Sequence, residues 1–373
     1  MPNFPPIRPD ARVAPTDLDL SVATGMDESM GEDEERRGLT GWVGKVFRLP
    51  WANSEPADHD RGRELRRAVR AEDLSKVRRM LREGVGVNES QEASLACIAT
   101  RRRNLVLLQI LIAAGVDLNQ GDQRNRASRV RTPLQEASRK GWLEGIETML
   151  GAGAEVDRAD DVGATALVLA VRAGQTAASR RLLAAGARPD GDGTGRAIPL
   201  HEATTPELGQ ALLDAGASLT AVDRAGAAAL HAQARVGRWT MVDFLLSAGA
   251  PPDLRDGRGR TALFQPGNQG DVGAVFDRLL DAGADPAARD RDENTFLHMA
   301  ATRCIHARVL DALHRRCPKG WDRANRDGET PVHLLATRGF GDLAASIRSA
   351  LERAERREQI NEPRRCDIFR PEA

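Results

Sequence analysis

The residues best suited to chemistry are Cys304, His306, His314 and Cys317, four side chains of the kinds that ligate zinc. Their spacing, C-x-H-x7-H-x2-C, matches no zinc knuckle or finger and runs mostly through helical patterning, so they are expected to pack and no metal site is expected. The run Gly191 to Gly195 (GDGTG) offers backbone amides to a phosphate, but no strand precedes it and no dinucleotide fold surrounds it, so it reads as a turn. His201, His231, His298 and His333 stand at least 30 residues apart, too dispersed for their spacing alone to build a catalytic cluster. Carboxylates are abundant, yet no pair is placed by spacing in a closed cleft. There is no Ser-His-Asp elbow, Walker loop, HExxH or kinase signature. The chain is expected to be no enzyme and to hold no cofactor; an enzyme with an unrecognised site in its irregular segments is the alternative from another class.

What remains is arginine. The 373 residues carry 54 Lys plus Arg against 54 Asp plus Glu, and lysine occurs only at Lys45, Lys76, Lys140 and Lys319, so 54 − 4 leaves 50 arginines. A guanidinium grips a carboxylate through two parallel hydrogen bonds, which makes an acidic protein surface the natural ligand. Balanced net charge gives no global pull towards nucleic acid or membrane. Acidic residues interleave the arginines, aromatics are 3% with no Tyr, and no stacking platform is visible, so nucleic acid is not expected as a partner. No apolar run reaches the roughly 18 residues a spanning helix needs, and no stable membrane insertion is expected. The first residues lack the basic-then-apolar pattern of an export signal, and four cysteines make no disulfide framework, which together point to a reducing cytoplasm. The Arg, Ala and Gly bias fits a GC-rich bacterial genome, and scarce lysine also fits a protein that avoids ubiquitin acceptors inside a host cell.

The elements that position these arginines recur along the chain. A leucine-rich helix followed by a small residue, Gly and usually Ala returns with its glycine at 84, 115, 153, 186, 216, 249 and 283, at spacings of 31, 38, 33, 30, 33 and 34. A period of about 33 residues is the signature of a repeat array. Between those glycines a second phrase returns: TPLQEA (132–137), IPLHEA (198–203), AALHAQA (228–234), NTFLHMAA (294–301) and TPVHLLA (330–336). Thr132 or Thr330 can cap a helix with Pro133 or Pro331 in its first turn, where no amide donor is needed. Leu134, Leu167, Leu200, Leu230, Leu263 and Leu297 are expected to face the neighbouring unit, with Ala137, Ala170 and Ala203 keeping paired helices close. Gly141 and Gly153 are suited to the left-handed backbone that ends each helix.

These phrases resemble the ankyrin repeat over roughly residues 63–350. The resemblance implies an all-α solenoid of about nine helix-turn-helix repeats and a binding scaffold whose finger tips and first helices line a concave face. It also implies that the motif histidines hydrogen-bond backbone in the adjoining turn. Organisation is expected as a disordered segment 1–60 containing a short amphipathic helix at 39–49, the array at 61–350, and a charged tail at 351–373.

Partner-binding candidates are Trp142, at the groove border, and the tip arginines Arg158, Arg224, Arg258, Arg260 and Arg291. Arg124, Arg126, Arg129 and Arg131 join them, on a finger about five residues longer than the others. Repeat five, with Pro206, and repeat seven, with Pro266 and Gly267, are expected to have shortened helices. The expected partner is another protein with an acidic surface, bound by a monomer. The context is the cytoplasm, with delivery into a host cell by a type III system as an extension; a bacterial housekeeping adaptor is the competing reading.

Overall fold

The computed structural model describes residues 56–88, 94–122, 130–265, 272–303 and 307–361. Among them, helices come in nine consecutive pairs. The pairs are α1 (Pro56–Ala71) with α2 (Leu74–Arg82), α3 (Leu95–Arg102) with α4 (Leu105–Ala113), and α5 (Pro133–Lys140) with α6 (Leu143–Gly151). Next come α7 (Ala166–Arg172) with α8 (Thr176–Ala184), α9 (Pro199–Glu202) with α10 (Pro206–Asp214), and α11 (Ala229–Val236) with α12 (Trp239–Ser247). A 3-10 turn (Ala262–Phe264) precedes α13 (Val272–Asp281), and the array closes with α14 (Phe296–Arg303), α15 (Ala307–Arg316), α16 (Pro331–Thr337) and α17 (Gly341–Asn361). First helices pack on first helices and second helices on second helices, giving two layers. Strands are absent among the described residues, where a single antiparallel bridge joins Val222 and Ala228.

Local chemistry explains where the helices start and stop. The Thr132 hydroxyl accepts from the Gln135 amide at 3.3 Å and the Thr330 hydroxyl from the His333 amide at 3.2 Å, as the sequence predicts. Gly141 ends α5 at φ 65° and Gly153 follows α6 at φ 85°, a region that favours glycine. Arg103 (φ 55°) and Glu293 (φ 62°) adopt the same backbone with side chains, and are therefore strained. The predicted irregularities are present: α9 has 4 residues and the first helix of repeat seven is a 3-10 turn of 3. Pro266 and Gly267 lie outside the described residues, as does segment 39–49.

The six repeat leucines from Leu134 to Leu297 are all buried, with Ala137, Ala170 and Ala203 between the layers. Each such leucine cut to Ala costs about 2–5 kcal/mol. His314 and Cys317 belong to this packing: the His314 ring meets Trp321 edge-on at 5.9 Å, and the Cys317 carbonyl accepts the Trp321 indole N–H at 2.8 Å. Cys304 and His306 lie outside the described residues.

Candidate protein-binding surface

A turn projects ahead of each first helix, and one carboxylate or amide organises it. The first oxygen of Asp160, Asp223, Asp256, Asp290 and Asn325 accepts backbone amides two and four residues on, as from Arg258 at 2.8 Å and Arg260 at 3.0 Å. Adjacent tips are then laced backbone to backbone. Arg224 donates to Gly195 (3.2 Å), Gly257 to Ala225 (2.8 Å), Arg291 to Arg258 (3.1 Å) and Arg326 to Asp292 (3.1 Å). The lacing satisfies main-chain groups of adjacent fingers internally.

The motif histidines tie each finger to the repeat behind it. Nε2 of His201 meets the Ala221 carbonyl at 3.1 Å, His231 meets Arg260 at 3.0 Å and His298 meets Glu329 at 3.1 Å. Burial pushes all three imidazoles below the usual value of about 6.5, against the opposing pull of those carbonyls. In repeats two and three a different polar residue keeps the task, whereas Val168 and Phe264 fill the slot of repeats four and seven with apolar side chains. Gln135 donates to the Arg158 carbonyl at 2.7 Å, and the Cys97 thiol lies 3.5 Å from that of Arg131. His333, in the last repeat, is exposed.

The predicted contact residues divide. Arg224, Arg258 and Arg291 are exposed on consecutive tips with no side-chain ion pair or hydrogen bond among the described residues. Arg158 pairs with Glu155 at 3.1 Å within its own finger. Arg260 is not a free tip: its side chain is 16% exposed and forks onto Asp256, 2% exposed, at 3.0 and 2.8 Å. Burial raises the Asp256 carboxyl, but bonds from the Arg260 side chain and from the Arg260 and Arg258 amides outweigh it and hold the group below the usual carboxylate range. Trp142 is 6% exposed, its ring lying where a β-carbon on Gly145 would sit, so it faces the core rather than the groove. Trp239, the first residue of α12, is 41% exposed beneath the Arg278 guanidinium at 5.5 Å. Arg124, Arg126 and Arg129 lie outside the described residues; the finger carrying them closes where the Asp122 amide donates to the Arg131 carbonyl at 3.1 Å.

Sequence reasoning missed a second group of cations, at the first helices, which Arg131, a candidate from the long finger, joins. Glu136 on α5, 12% exposed, is met by Arg139 at 2.8 Å, Lys140 at 3.6 Å and Arg131 at 3.8 Å. Burial raises its carboxyl, and these three cations override that and lower it. Arg101 on α3 pairs with Asp122, and Arg103 donates to the Lys140 carbonyl. A signal was present: Arg139, Arg172 and Arg235 each stand five residues after a core leucine (Leu134, Leu167 and Leu230), and Arg101 five after Ala96. Among the described residues no group of three or more His, Cys, Asp or Glu could hold a metal ion. No helix there is long and apolar enough to cross a membrane.

Comparison with known proteins agrees with this geometry. The family model described as ankyrin repeat matches residues 225–257. Mouse ankyrin repeat domain-containing protein 63 is 38% identical over 120 residues, 31% of this chain and 30% of that protein. The chicken nuclear factor NF-kappa-B p105 subunit is 31% identical over 159 residues, 41% of this chain and 16% of the subunit. The chain thus spans under a third of the length of these curated relatives. The crystal structure of the human ASB11 ankyrin repeat domain superposes with TM-score 0.50 at 27% identity, covering 58% of this chain and 96% of that one.

Proposed function

We propose that this ankyrin-repeat solenoid is a non-enzymatic scaffold that holds an acidic partner protein against its fingers and first helices. The observation that carries the reading is the row Arg224, Arg258 and Arg291. Three guanidinium groups stand on laced tips with no carboxylate partner among the described residues, so a partner's carboxylates meet preorganised donors and less ordering entropy is lost on binding. The test is affinity purification with the full chain and with an Arg224→Glu/Arg258→Glu/Arg291→Glu variant. A specific partner should be captured by the first and lost with the second at unchanged melting temperature. Equal capture by both removes the tips from the surface.

The narrower context we infer is a monomeric bacterial protein acting in the cytoplasm of a host cell after type III delivery. It is supported by composition, 4 lysines against 50 arginines among the 54 basic residues. A secretion assay comparing type III-competent and type III-deficient strains tests it; equal retention inside both favours a housekeeping adaptor.

A further inference from the structure

Among the described residues, the cations at the first helices of repeats two and three exceed the acids that pair with them. Arg101, Arg131, Arg139 and Lys140 pair with two carboxylates, Asp122 and Glu136, of which Glu136 is shared by three, while Arg103 donates to the Lys140 carbonyl beside them. A carboxylate accepts several hydrogen bonds but neutralises one charge, so the cluster keeps a surplus of positive charge. Arg101 and Arg139 are each 42% exposed, which leaves the surplus open to a ligand.

The complementary segment is in the same chain. Residues 27–35, DESMGEDEE, hold six carboxylates (Asp27, Glu28, Glu32, Asp33, Glu34 and Glu35) and no cation. Twenty residues, 36–55, join this run to the start of α1 at Pro56. Fully extended, such a tether spans at most about 70 Å. The cluster lies one to two repeats from α1, on the order of 10–20 Å at ordinary helix spacings, well within that reach.

We propose that residues 27–35 fold back onto the Arg101–Arg131–Arg139–Lys140 face and occupy it in the free protein, so that an acidic partner must displace the chain's own acidic segment. This rests on the reading of the solenoid as a binder of acidic surfaces, and adds a built-in competitor to it. The contacts are surface ion pairs, individually weak and screened by salt, so the latch is reversible. If the segment binds as a free peptide at about 0.1 mM and the tether supplies an effective concentration of about 1 mM, the closed form prevails about ten to one. A competing ligand is then weakened about tenfold.

The probe is a fluorescein-labelled peptide of residues 27–35, titrated at low salt with three full-length proteins and read by anisotropy. The first is the unaltered chain. The second carries Asp27→Asn, Glu28→Gln, Glu32→Gln, Asp33→Asn, Glu34→Gln and Glu35→Gln, and the third adds Arg139→Ala and Lys140→Ala to these. The neutralised protein should bind the probe about tenfold more tightly than the unaltered chain. The third protein should lose most of that gain with an unchanged circular dichroism spectrum, and moderate salt should remove it from the second. Equal probe affinity for the first two proteins overturns the latch and leaves the acidic-partner reading standing. Absence of probe binding to all three overturns the latch and removes the first-helix cluster from the binding surface, leaving the finger tips to be tested separately. Retained tight binding by the third protein moves the site elsewhere.

Discussion

Arg258 and Arg260 sit two residues apart on one finger, and the structure gives them opposite roles. Replacing Arg260 by Ala leaves the Asp256 carboxylate, 2% exposed, without its guanidinium, although the amides of residues 258 and 260 still donate to it. Breaking a buried ion pair from one side costs about 3–5 kcal/mol. Because the Arg260 side chain is itself 16% exposed, water can partly replace it, and the low end, about 3 kcal/mol, is expected. Replacing Arg258 by Ala removes an exposed side chain with no partner among the described residues and should change stability by no more than about 0.5 kcal/mol. Urea unfolding followed by far-ultraviolet circular dichroism reads both. Repeat arrays unfold as neighbouring units, so hydrogen exchange of the amides of residues 258 and 260 localises the loss to this finger. Matching midpoints for the two variants would refute the assignment of Arg260 as a clamp.

Stability should also fall on acidification. His201, His231 and His298 have lowered values in the fold, so the unfolded chain takes up more protons; their contribution is full above about pH 7 and declines as pH drops through about 6.5 towards the folded values. Urea midpoints from pH 7.5 to 5 should show the decline, and a triple His→Gln variant, using the residue that serves at position 135, should flatten it. Glu293→Gly should stabilise the array by up to about 1 kcal/mol by relieving a positive φ, and a lower melting temperature would contradict this. Trp142→Ala should cost about 3–5 kcal/mol in chemical denaturation, whereas Trp239→Ala, at an exposed ring, should cost far less.

The repeat leucines, the threonine caps and the shortened helices of repeats five and seven were legible because each depends on a local pattern of period, hydroxyl or proline. The setting of Trp142 was not. Trp142 follows its helix-ending glycine by one residue and Trp239 by two, and one step turns a helical side chain by about 100°. The burial of Trp142 also depends on Gly145 three residues later, whose missing β-carbon makes room for the ring. Likewise, the type of residue at 258 and 260 is the same, and only the direction of the turn around Asp256 decides which guanidinium reaches inward. Gln135 and Cys97 in the histidine slot show the converse: the finger-to-helix bond persists while the letter that advertises it changes.

Photocrosslinking from single sites most directly tests whether a partner lies on the finger face. A benzophenone side chain placed at position 224, 258 or 291, and at position 180 on the exposed side of the second helix α8 as a control, would be irradiated in lysate. The expected result is one partner protein crosslinked from all three tips and absent at position 180. Crosslinks to that partner from position 180, with none from the tips, would contradict the assignment.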